Sequence, residues 1–174
     1  GERVWDVCAA PGGKTTHMAE LMEDQGRILA TEVSEERCGS IRENVARLGL
    51  TSVEVRHIER VSDVEGDFDA VLIDVPCSNT GVLGKRPEAR WRIRPEDLEE
   101  LPRIQTGILN AAAKRVVPGG RLVYSTCSIE PEENQEVVRR FLEYHPEWRL
   151  ESKGEYLPRE GGDGGYQALL ARKG

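Results

Sequence analysis

Residues 3–15 read Arg-Val-Trp-Asp-Val-Cys-Ala-Ala-Pro-Gly-Gly-Lys-Thr, and this stretch points to one class of fold. The apolar run over 3–8 predicts a β-strand, and the segment 14–23 predicts a helix directly behind it. Small residues between the two let the backbone approach a ligand closely, and the start of the helix offers free N–H groups. The stretch therefore predicts a strand, a ligand-binding loop and a helix in immediate succession.

The rest of the chain alternates short apolar runs with longer amphipathic segments. Further strands are predicted over 27–32, 53–55, 68–74, 121–125 and 166–171. Further helices are predicted over 35–48, 98–117 with the regular part starting at Pro102, and 131–144, whereas 76–95 is predicted as a long loop. This alternation predicts an α/β fold, a doubly wound and mostly parallel sheet with helices on both faces. Ligands bind such sheets at the carboxyl ends of the strands.

Length and composition bound the function. The 174 residues suit one domain. Hydrophobic residues make up 38% of the chain and charged residues 32%, and this composition argues against a disordered chain. Lys and Arg total 24 against 31 Asp and Glu, so the net charge of −7 counts against a nucleic-acid-binding surface over the whole molecule. The chain starts almost inside its first apolar segment, and we expect it to be part of a longer protein.

The sequence also argues against a membrane span, a metal site and two common nucleotide-binding motifs. No apolar run approaches the roughly 20 residues of a membrane helix, so we expect no membrane partner. The four cysteines form no CxxC pair, and we expect free thiols, no metal site and a reducing, cytoplasmic location. A phosphate-binding P-loop is excluded because Cys8 stands where that motif needs glycine, and the dinucleotide pattern G-x-G-x-x-G is absent. Glu32 ends the second strand, where an acid accepts hydrogen bonds from ribose hydroxyls in doubly wound folds.

Two cysteines follow neighbouring predicted strands in polar settings. Cys77 lies in the Asp-Val-Pro-Cys-Ser run of 74–78, and Cys127 lies in the Ser-Thr-Cys-Ser run of 125–128. A lone cysteine is more often a small buried apolar residue than a nucleophile. We interpret Cys8 and Cys38 as structural thiols of this kind. Adjacent strands would bring the other two thiols to one edge of the sheet. We also expect the dipole of a helix starting near Pro131 to lower the pKa of Cys127.

Three stretches together identify a family. They are Asp-Val-Cys-Ala-Ala-Pro-Gly-Gly-Lys-Thr at 6–15, Asp-Val-Pro-Cys-Ser-Asn-Thr-Gly-Val at 74–82 and Tyr-Ser-Thr-Cys-Ser-Ile-Glu-Pro-Glu-Glu-Asn at 124–134. In sequence and order they resemble the RNA cytosine-5 methyltransferases, the family of bacterial 16S ribosomal RNA methyltransferase B and its nucleolar relatives. The resemblance covers nearly the whole chain. It implies the Rossmann-like fold of class I S-adenosylmethionine-dependent methyltransferases, with 1–174 as the catalytic domain without the upstream RNA-binding parts.

The resemblance also implies a cofactor, a substrate and roles for residues. The cofactor would be S-adenosylmethionine, and the substrate would be RNA, with ribosomal RNA favoured. Cys127 would be the nucleophile, Cys77 would assist release of the product, and Asp74 would act on the base. The cofactor-binding residues that it implies are Cys8, Ala9, Ala10, Pro11, Gly12, Gly13, Lys14, Glu32 and Asp74. The family also has an acid after the third strand, where this chain has Ile58 followed by Glu59.

The residue types suit this chemistry. C5 of cytosine is a poor nucleophile, and a thiolate that adds at C6 makes C5 able to attack a methyl sulfonium. An acid such as Asp74 can stabilise the charge that develops at N3. The base must leave any stack to reach the thiol, so a single-stranded or flipped nucleotide is expected.

A local basic run offsets the acidic net charge. It consists of Lys85, Arg86, Arg90, Arg92 and Arg94 with Trp91 inside it, and its place beside Cys77 predicts contact with RNA phosphates. The predicted RNA-binding residues are Lys85, Arg86, Arg90, Trp91 and Arg92. The alternatives are cytosine-5 methylation of transfer RNA or DNA, and a non-catalytic cofactor-binding module in assembly. A cysteine after the fifth strand favours RNA over DNA, because DNA enzymes of this chemistry use the Pro-Cys nucleophile after the fourth strand. The presence of both Cys77 and Cys127 beside Asp74 argues against the module.

Overall fold

A computed structural model of the chain describes residues 1–174. The strands are β1 (Arg3–Asp6), β2 (Arg27–Glu32), β3 (Val53–His57), β4 (Phe68–Asp74), β5 (Val116–Thr126), β6 (Trp148–Tyr156) and β7 (Gly165–Arg172). The helices are α1 (Gly13–Leu21), α2 (Glu35–Arg47), α3 (Ala89–Arg92), α4 (Asp97–Ala113) and α5 (Gln135–Tyr144). The strands form a single sheet in the order β3-β2-β1-β4-β5-β7-β6. Strands β1 to β5 pair in parallel and β7 pairs antiparallel with β5 and β6, which confirms the predicted fold class.

Alternate side chains of β1 show how the two faces of the sheet are covered. Trp5 is fully buried in the main apolar cluster with Leu109 of α4 and Phe141 of α5. Its neighbour Val4 packs with Ala19 of α1 in a separate cluster. Because successive side chains of a strand point to opposite faces, α4 and α5 cover one face and α1 covers the other.

The register of the central strands brings their carboxyl ends to one edge. Asp6 of β1 pairs with Leu72 of β4, and Asp74 at the end of β4 pairs with Ser125 of β5. Parallel strands in this register deliver the loops that follow them to the same edge of the sheet. That edge is where the motif residues gather.

The largest differences from the sequence-based expectation are at two strands, whereas β1 ends two residues earlier and β3 two residues later than predicted. Strand β6 was not predicted, because it lies at the edge of the sheet with mostly exposed residues and lacks the alternation that marks a half-buried strand. Strand β5 begins at Val116, where the sequence predicted the last turn of a helix. Val116 pairs with Phe68, and the Pro-Gly-Gly segment of 118–120 is accommodated as an irregularity in the pairing before Arg121.

Helix boundaries also differ. Helix α4 starts at Asp97 and includes Pro102, which was predicted to start the regular helix. Pro102 lies near the N-terminal end, where the helix loses a single backbone hydrogen bond, and acids in the first turn favour the earlier start. Helix α5 begins at Gln135, since 131–134 forms turns instead of the predicted first helical turn. The loop 76–95 contains the short helix α3. None of the helices combines the length and apolarity that crossing a membrane requires.

Candidate active site

The loops after the parallel strands β1 to β5, together with one side of α4, surround a cleft of about 940 Å³ at the carboxyl edge of the sheet. Its volume lies at the upper end of the range for small-molecule sites. The predicted site residues that line it are Cys8, Ala10, Pro11, Lys14, Glu32, Asp74, Cys77, Lys85, Arg86 and Cys127. A second groove of about 650 Å³ lies between α4 and α5 and contains none of the predicted site residues. The cleft at the strand ends is therefore the candidate site.

Three residues of the first loop shape the cleft without lining it. Ala9 is buried against Ile41 of α2, and Gly13 is the first residue of α1. Gly12 has φ 102°, and a Cβ there would lie 3.2 Å from Ile41. A side chain at Gly12 would be strained in this backbone conformation and crowded against α2, so glycine fits the position.

Three of the predicted RNA-binding residues lie outside the cleft. Arg90, Trp91 and Arg92 belong to α3, and the Trp91 side chain is 86% exposed. Only Lys85 and Arg86 of the run reach the cleft wall, and Lys85 pairs with Asp163 at 2.6 Å. The structure thus splits the predicted RNA-contact set between the cleft and a neighbouring exposed helix.

The thiols of Cys77 and Cys127 meet in the cleft, with their sulfur atoms 3.1 Å apart. They follow strands whose ends pair directly, so the register of β4 and β5 brings them together. The pKa of Cys127 is lowered, chiefly because the Cys77 thiol donates a hydrogen bond to its sulfur, with a smaller contribution from Arg86. The pKa of Cys77 is raised because it shares this proton with Cys127 and is buried. Cys127 is therefore the more acidic thiol and the better candidate nucleophile.

The cause of this acidity differs from the expectation. We expected the dipole of a helix starting near Pro131 to act on Cys127, but α5 starts at Gln135 and the hydrogen bond from Cys77 is the main cause. The other thiols are placed as expected of structural cysteines. Burial raises the pKa of Cys8 to about 12 and also raises the pKa of Cys38. No group of three or more His, Cys, Asp or Glu side chains is arranged to hold a metal ion.

Asn79 contacts both cysteines, and sequence reasoning missed it. Its Nδ2 donates to the Cys77 carbonyl at 2.8 Å, and its Oδ1 accepts from the Cys127 thiol at 3.1 Å. The backbone at Asn79 is left-handed, with φ 63°. Asparagine tolerates this conformation better than most residues, so its position two residues after Cys77 is the signal that could have indicated a tight turn there.

Asp74 is held from two sides at the end of β4. Its Oδ2 accepts from Lys14 Nζ at 2.7 Å, and its Oδ1 accepts from the Ser125 hydroxyl at 2.7 Å. Lys14 lies in the first turn of α1 and Ser125 lies near the end of β5, so the carboxylate joins three of the elements around the cleft. This arrangement places an oriented acid and a cation beside the thiol pair.

Glu32 provides a test of whether the cleft suits a ribose. Its Oε1 accepts from the backbone N–H groups of Val33 at 2.9 Å and Ser34 at 3.3 Å. Its Oε2 is buried, makes no hydrogen bond and lies 3.4 Å from Arg37 Nη1. A buried carboxylate oxygen at a cleft wall needs a donor, and a ribose hydroxyl can supply one. The residues present therefore fit a nucleoside-containing cofactor.

The region after β3 forms the next part of the wall. Ile58, at the position where the family has an acid, is buried in the main apolar cluster and does not line the cleft. Arg60, Val61 and Ser62 line it instead. Sequence reasoning missed these residues, because they show no periodicity and form only a short 3₁₀ turn over Val61–Asp63.

Comparison with known proteins gives a consistent result. The family model of the 16S rRNA methyltransferase RsmB/F matches residues 1–166. The ribosomal RNA small subunit methyltransferase B of Yersinia pseudotuberculosis is 40% identical over 99% of this chain and 43% of its own length. The solved structure of PH0851 has a TM-score of 0.92 at 40% identity, over 98% of this chain and 42% of that one. That of NSun6 from Pyrococcus horikoshii with SFG has a TM-score of 0.84 at 32% identity, over 98% of this chain and 48% of that one. The chain thus spans less than half the length of these relatives.

Proposed function

This chain belongs to the 16S rRNA methyltransferase RsmB/F family, which matches it over residues 1–166, and we propose on this basis that its cleft methylates RNA. Specifically, the cleft transfers a methyl group from S-adenosylmethionine to C5 of a cytosine in ribosomal RNA. The observation that carries the proposal is the pair of thiols, 3.1 Å apart, in a strand-end cleft that also holds Asp74. We further propose that 1–174 is the catalytic domain of a longer protein, since the curated relative is more than twice as long.

The cofactor proposal is supported by the cleft wall and by one relative. The NSun6 structure was solved with SFG, an analogue of S-adenosylmethionine. When bound, S-adenosylmethionine supplies a methyl group on a positively charged sulfur. In this chain the loop of 8–14 would hold it, and Glu32 Oε2 would accept a hydrogen bond from the ribose. The predicted role of Asp74 near the methionine end remains part of this proposal.

Cys127 starts the proposed reaction. Its thiolate adds to C6 of the cytosine, which forms an S–C6 bond and makes C5 nucleophilic. N3 gains negative charge in this step and takes a proton from Asp74 in its protonated form, with Lys14 and Ser125 holding the carboxyl group in place. C5 would then take the methyl group that S-adenosylmethionine supplies, and the electron pair of the broken methyl–sulfur bond would stay on the sulfur. The lowered pKa of Cys127 supports its assignment as the attacking thiol.

The reaction ends with elimination of the enzyme from the product. The proton on C5 must leave to a base, after which the S–C6 bond breaks and the Cys127 thiolate is restored. Cys77 assists this release, and its sulfur lies close enough to exchange a proton with Cys127. Without Cys77 the adduct would persist.

RNA contact is proposed for the basic run. Arg86 lines the cleft, and Arg90 and Arg92 lie on the adjoining helix α3 beside the exposed ring of Trp91. Guanidinium groups suit phosphates, and an exposed indole suits an unstacked base. Lys85 would contribute after exchanging its partner Asp163 for a phosphate.

The proposal is tested with the full-length protein, a cytosine-containing ribosomal RNA and S-adenosylmethionine labelled in the methyl group. The variants are Cys127→Ala and Cys77→Ala, and Cys38→Ala is the control because this thiol lies on α2 outside the cleft. We expect label at C5 of cytosine with the wild type and with the control. Cys127→Ala should be inactive, and Cys77→Ala should accumulate a covalent protein–RNA adduct.

Other outcomes would contradict specific parts. Activity in Cys127→Ala but not in Cys77→Ala would reverse the nucleophile and support the mechanism of the DNA enzymes. Unchanged RNA binding with no methyl transfer from any form of the protein would support the assembly module instead. Label in transfer RNA but not in ribosomal RNA would contradict the proposed substrate and would still support the proposed chemistry.

The RNA contacts are tested by salt dependence. The slope of log K against log salt is negative, and replacing Arg86, Arg90 or Arg92 by Ala should each reduce its magnitude by about 0.7 for single-stranded RNA. Arg47→Ala is the control, because this exposed arginine lies at the end of α2 and outside the cleft. Equal slopes for all four variants and the wild type would exclude the basic run from the RNA interface.

A further inference from the structure

Glu133 occupies an unusual position that the proposed chemistry does not use. Its side chain is fully buried, with 0% exposure, yet its carboxylate accepts four hydrogen bonds. Oε2 accepts from the backbone N–H of Ser78 and from Gln105 Nε2, each at 2.9 Å. Oε1 accepts from the Ser128 hydroxyl at 2.7 Å and from the Ser78 hydroxyl. All the donors are neutral groups.

Three of the four donors come from the segments that carry the two thiols. Ser78 directly follows Cys77, and Ser128 directly follows Cys127. Gln105 of α4 also donates to the carbonyl of Pro76 at 3.0 Å, so it supports the first segment from the other side. One carboxylate therefore joins both cysteine loops.

Glu133 is itself held in place. Its carbonyl accepts from the Tyr124 hydroxyl at 2.6 Å, and Tyr124 is a fully buried residue of β5. The neighbouring Asn134 donates to the carbonyl of Ser128 at 2.9 Å and accepts from the Thr126 hydroxyl at 2.6 Å. Hydrogen bonds therefore tie the backbone that carries the carboxylate to β5 and to the Cys127 loop.

We propose that Glu133 is a positioning residue that sets the separation and orientation of the Cys77 and Cys127 thiols. The proposal rests on the proposed two-thiol chemistry for its functional consequence, but the positioning claim concerns the resting protein. Four donors converge on one group, and only a carboxylate accepts from all of them. In Glu133→Gln an amide N–H would face these donors, and at least one buried donor would lose its acceptor.

The test compares Glu133→Gln with Glu132→Gln in the full-length protein. Glu132 is the matched control, because it has the same side chain at the next position and is exposed. Three quantities are measured: kcat for methyl transfer, the Kd of S-adenosylmethionine, and the rate at which dibromobimane bridges Cys77 to Cys127, located by peptide mass spectrometry. The bridging rate reports the thiol geometry without any catalysis.

We expect kcat to fall about 100-fold in Glu133→Gln, as small misplacements of reacting groups do, with slower bridging and an unchanged Kd. Glu132→Gln should match the wild type in all three. Assays at low temperature separate positioning from loss of stability, because an unstable variant recovers on cooling and a misplaced thiol pair does not. Normal bridging and kcat in folded Glu133→Gln would overturn the proposal.

Two further variants keep the test decisive. If Glu133→Gln does not fold, Ser78→Ala and Ser128→Ala each remove one hydroxyl donor and leave the carboxylate in place. Slower bridging in both supports positioning, and unchanged bridging in both overturns it. If the wild type methylates no cytosine but Glu133→Gln still slows bridging, the proposed function fails and the positioning claim stands.

Discussion

Replacing the buried Asp6 by Asn should change how the stability of the domain depends on pH. Asp6 is 1% exposed, its Oδ2 accepts from the Thr15 hydroxyl at 2.6 Å, and its Oδ1 has no hydrogen-bond partner. Burial raises its pKa from 3.8 to about 6, and the hydrogen bond from Thr15 opposes that change only in part. The folded protein therefore disfavours the ionised carboxylate relative to the unfolded chain.

The sign and size follow from this difference. Between pH 3.8 and about 6 the folded chain holds a proton that the unfolded chain has released, so the free energy of unfolding falls as the pH rises. Above about 6 both states are ionised and the effect is constant. At about 1.4 kcal/mol per pH unit over roughly two units, ionised Asp6 costs the fold about 3 kcal/mol. Asp6→Asn carries no charge and should lack this dependence.

The assay is urea unfolding of the wild type and Asp6→Asn at several pH values, followed by tryptophan fluorescence. The variant's stability relative to the wild type should increase by about 3 kcal/mol from a pH below 3.8 to one above 6. Asp67→Asn is the control, because Asp67 is exposed, and its curve should run parallel to the wild type. A relative stability of Asp6→Asn that is flat or decreases with pH would refute the reasoning.

Three other predictions concern the cleft and the core. Lys14→Met removes the 2.7 Å contact to the acid of the cleft and should lower kcat for methyl transfer about 100-fold, measured with labelled S-adenosylmethionine. Gly81→Ala would place a Cβ 2.5 Å from the carbonyl oxygen of Gly164 and 2.8 Å from that of Cys127, so it should displace both segments and slow thiol bridging, whereas Gly84→Ala, with no atom within 4 Å, should not. Leu109→Ala empties a fully buried position and should lower the free energy of unfolding by about 2–5 kcal/mol in urea titrations.

The fold class was predictable because it depends on local patterns. Apolar runs of strand length and amphipathic segments of helix length are properties of neighbouring residues, and they placed β2 and β4 at their observed bounds. The cleft was predictable for a related reason, since parallel strands deliver the residues that follow them to one edge. Strand β6 was missed because it has no burial pattern of its own. It is a strand because it pairs with β7.

The sequence by itself determined which residues follow each strand, and therefore that Cys77, Cys127, Asp74 and Glu32 belong to one edge of the sheet. Only the tertiary structure decided how they meet. The thiol contact joins residues 50 positions apart, and the carboxylate of Glu133 reaches a loop 55 positions away. Such contacts depend on strand register and on the packing of α4 against the sheet, and no local pattern encodes those distances. The chemistry of the residues is local, whereas the geometry that makes one thiol more acidic than the other is a property of the folded chain.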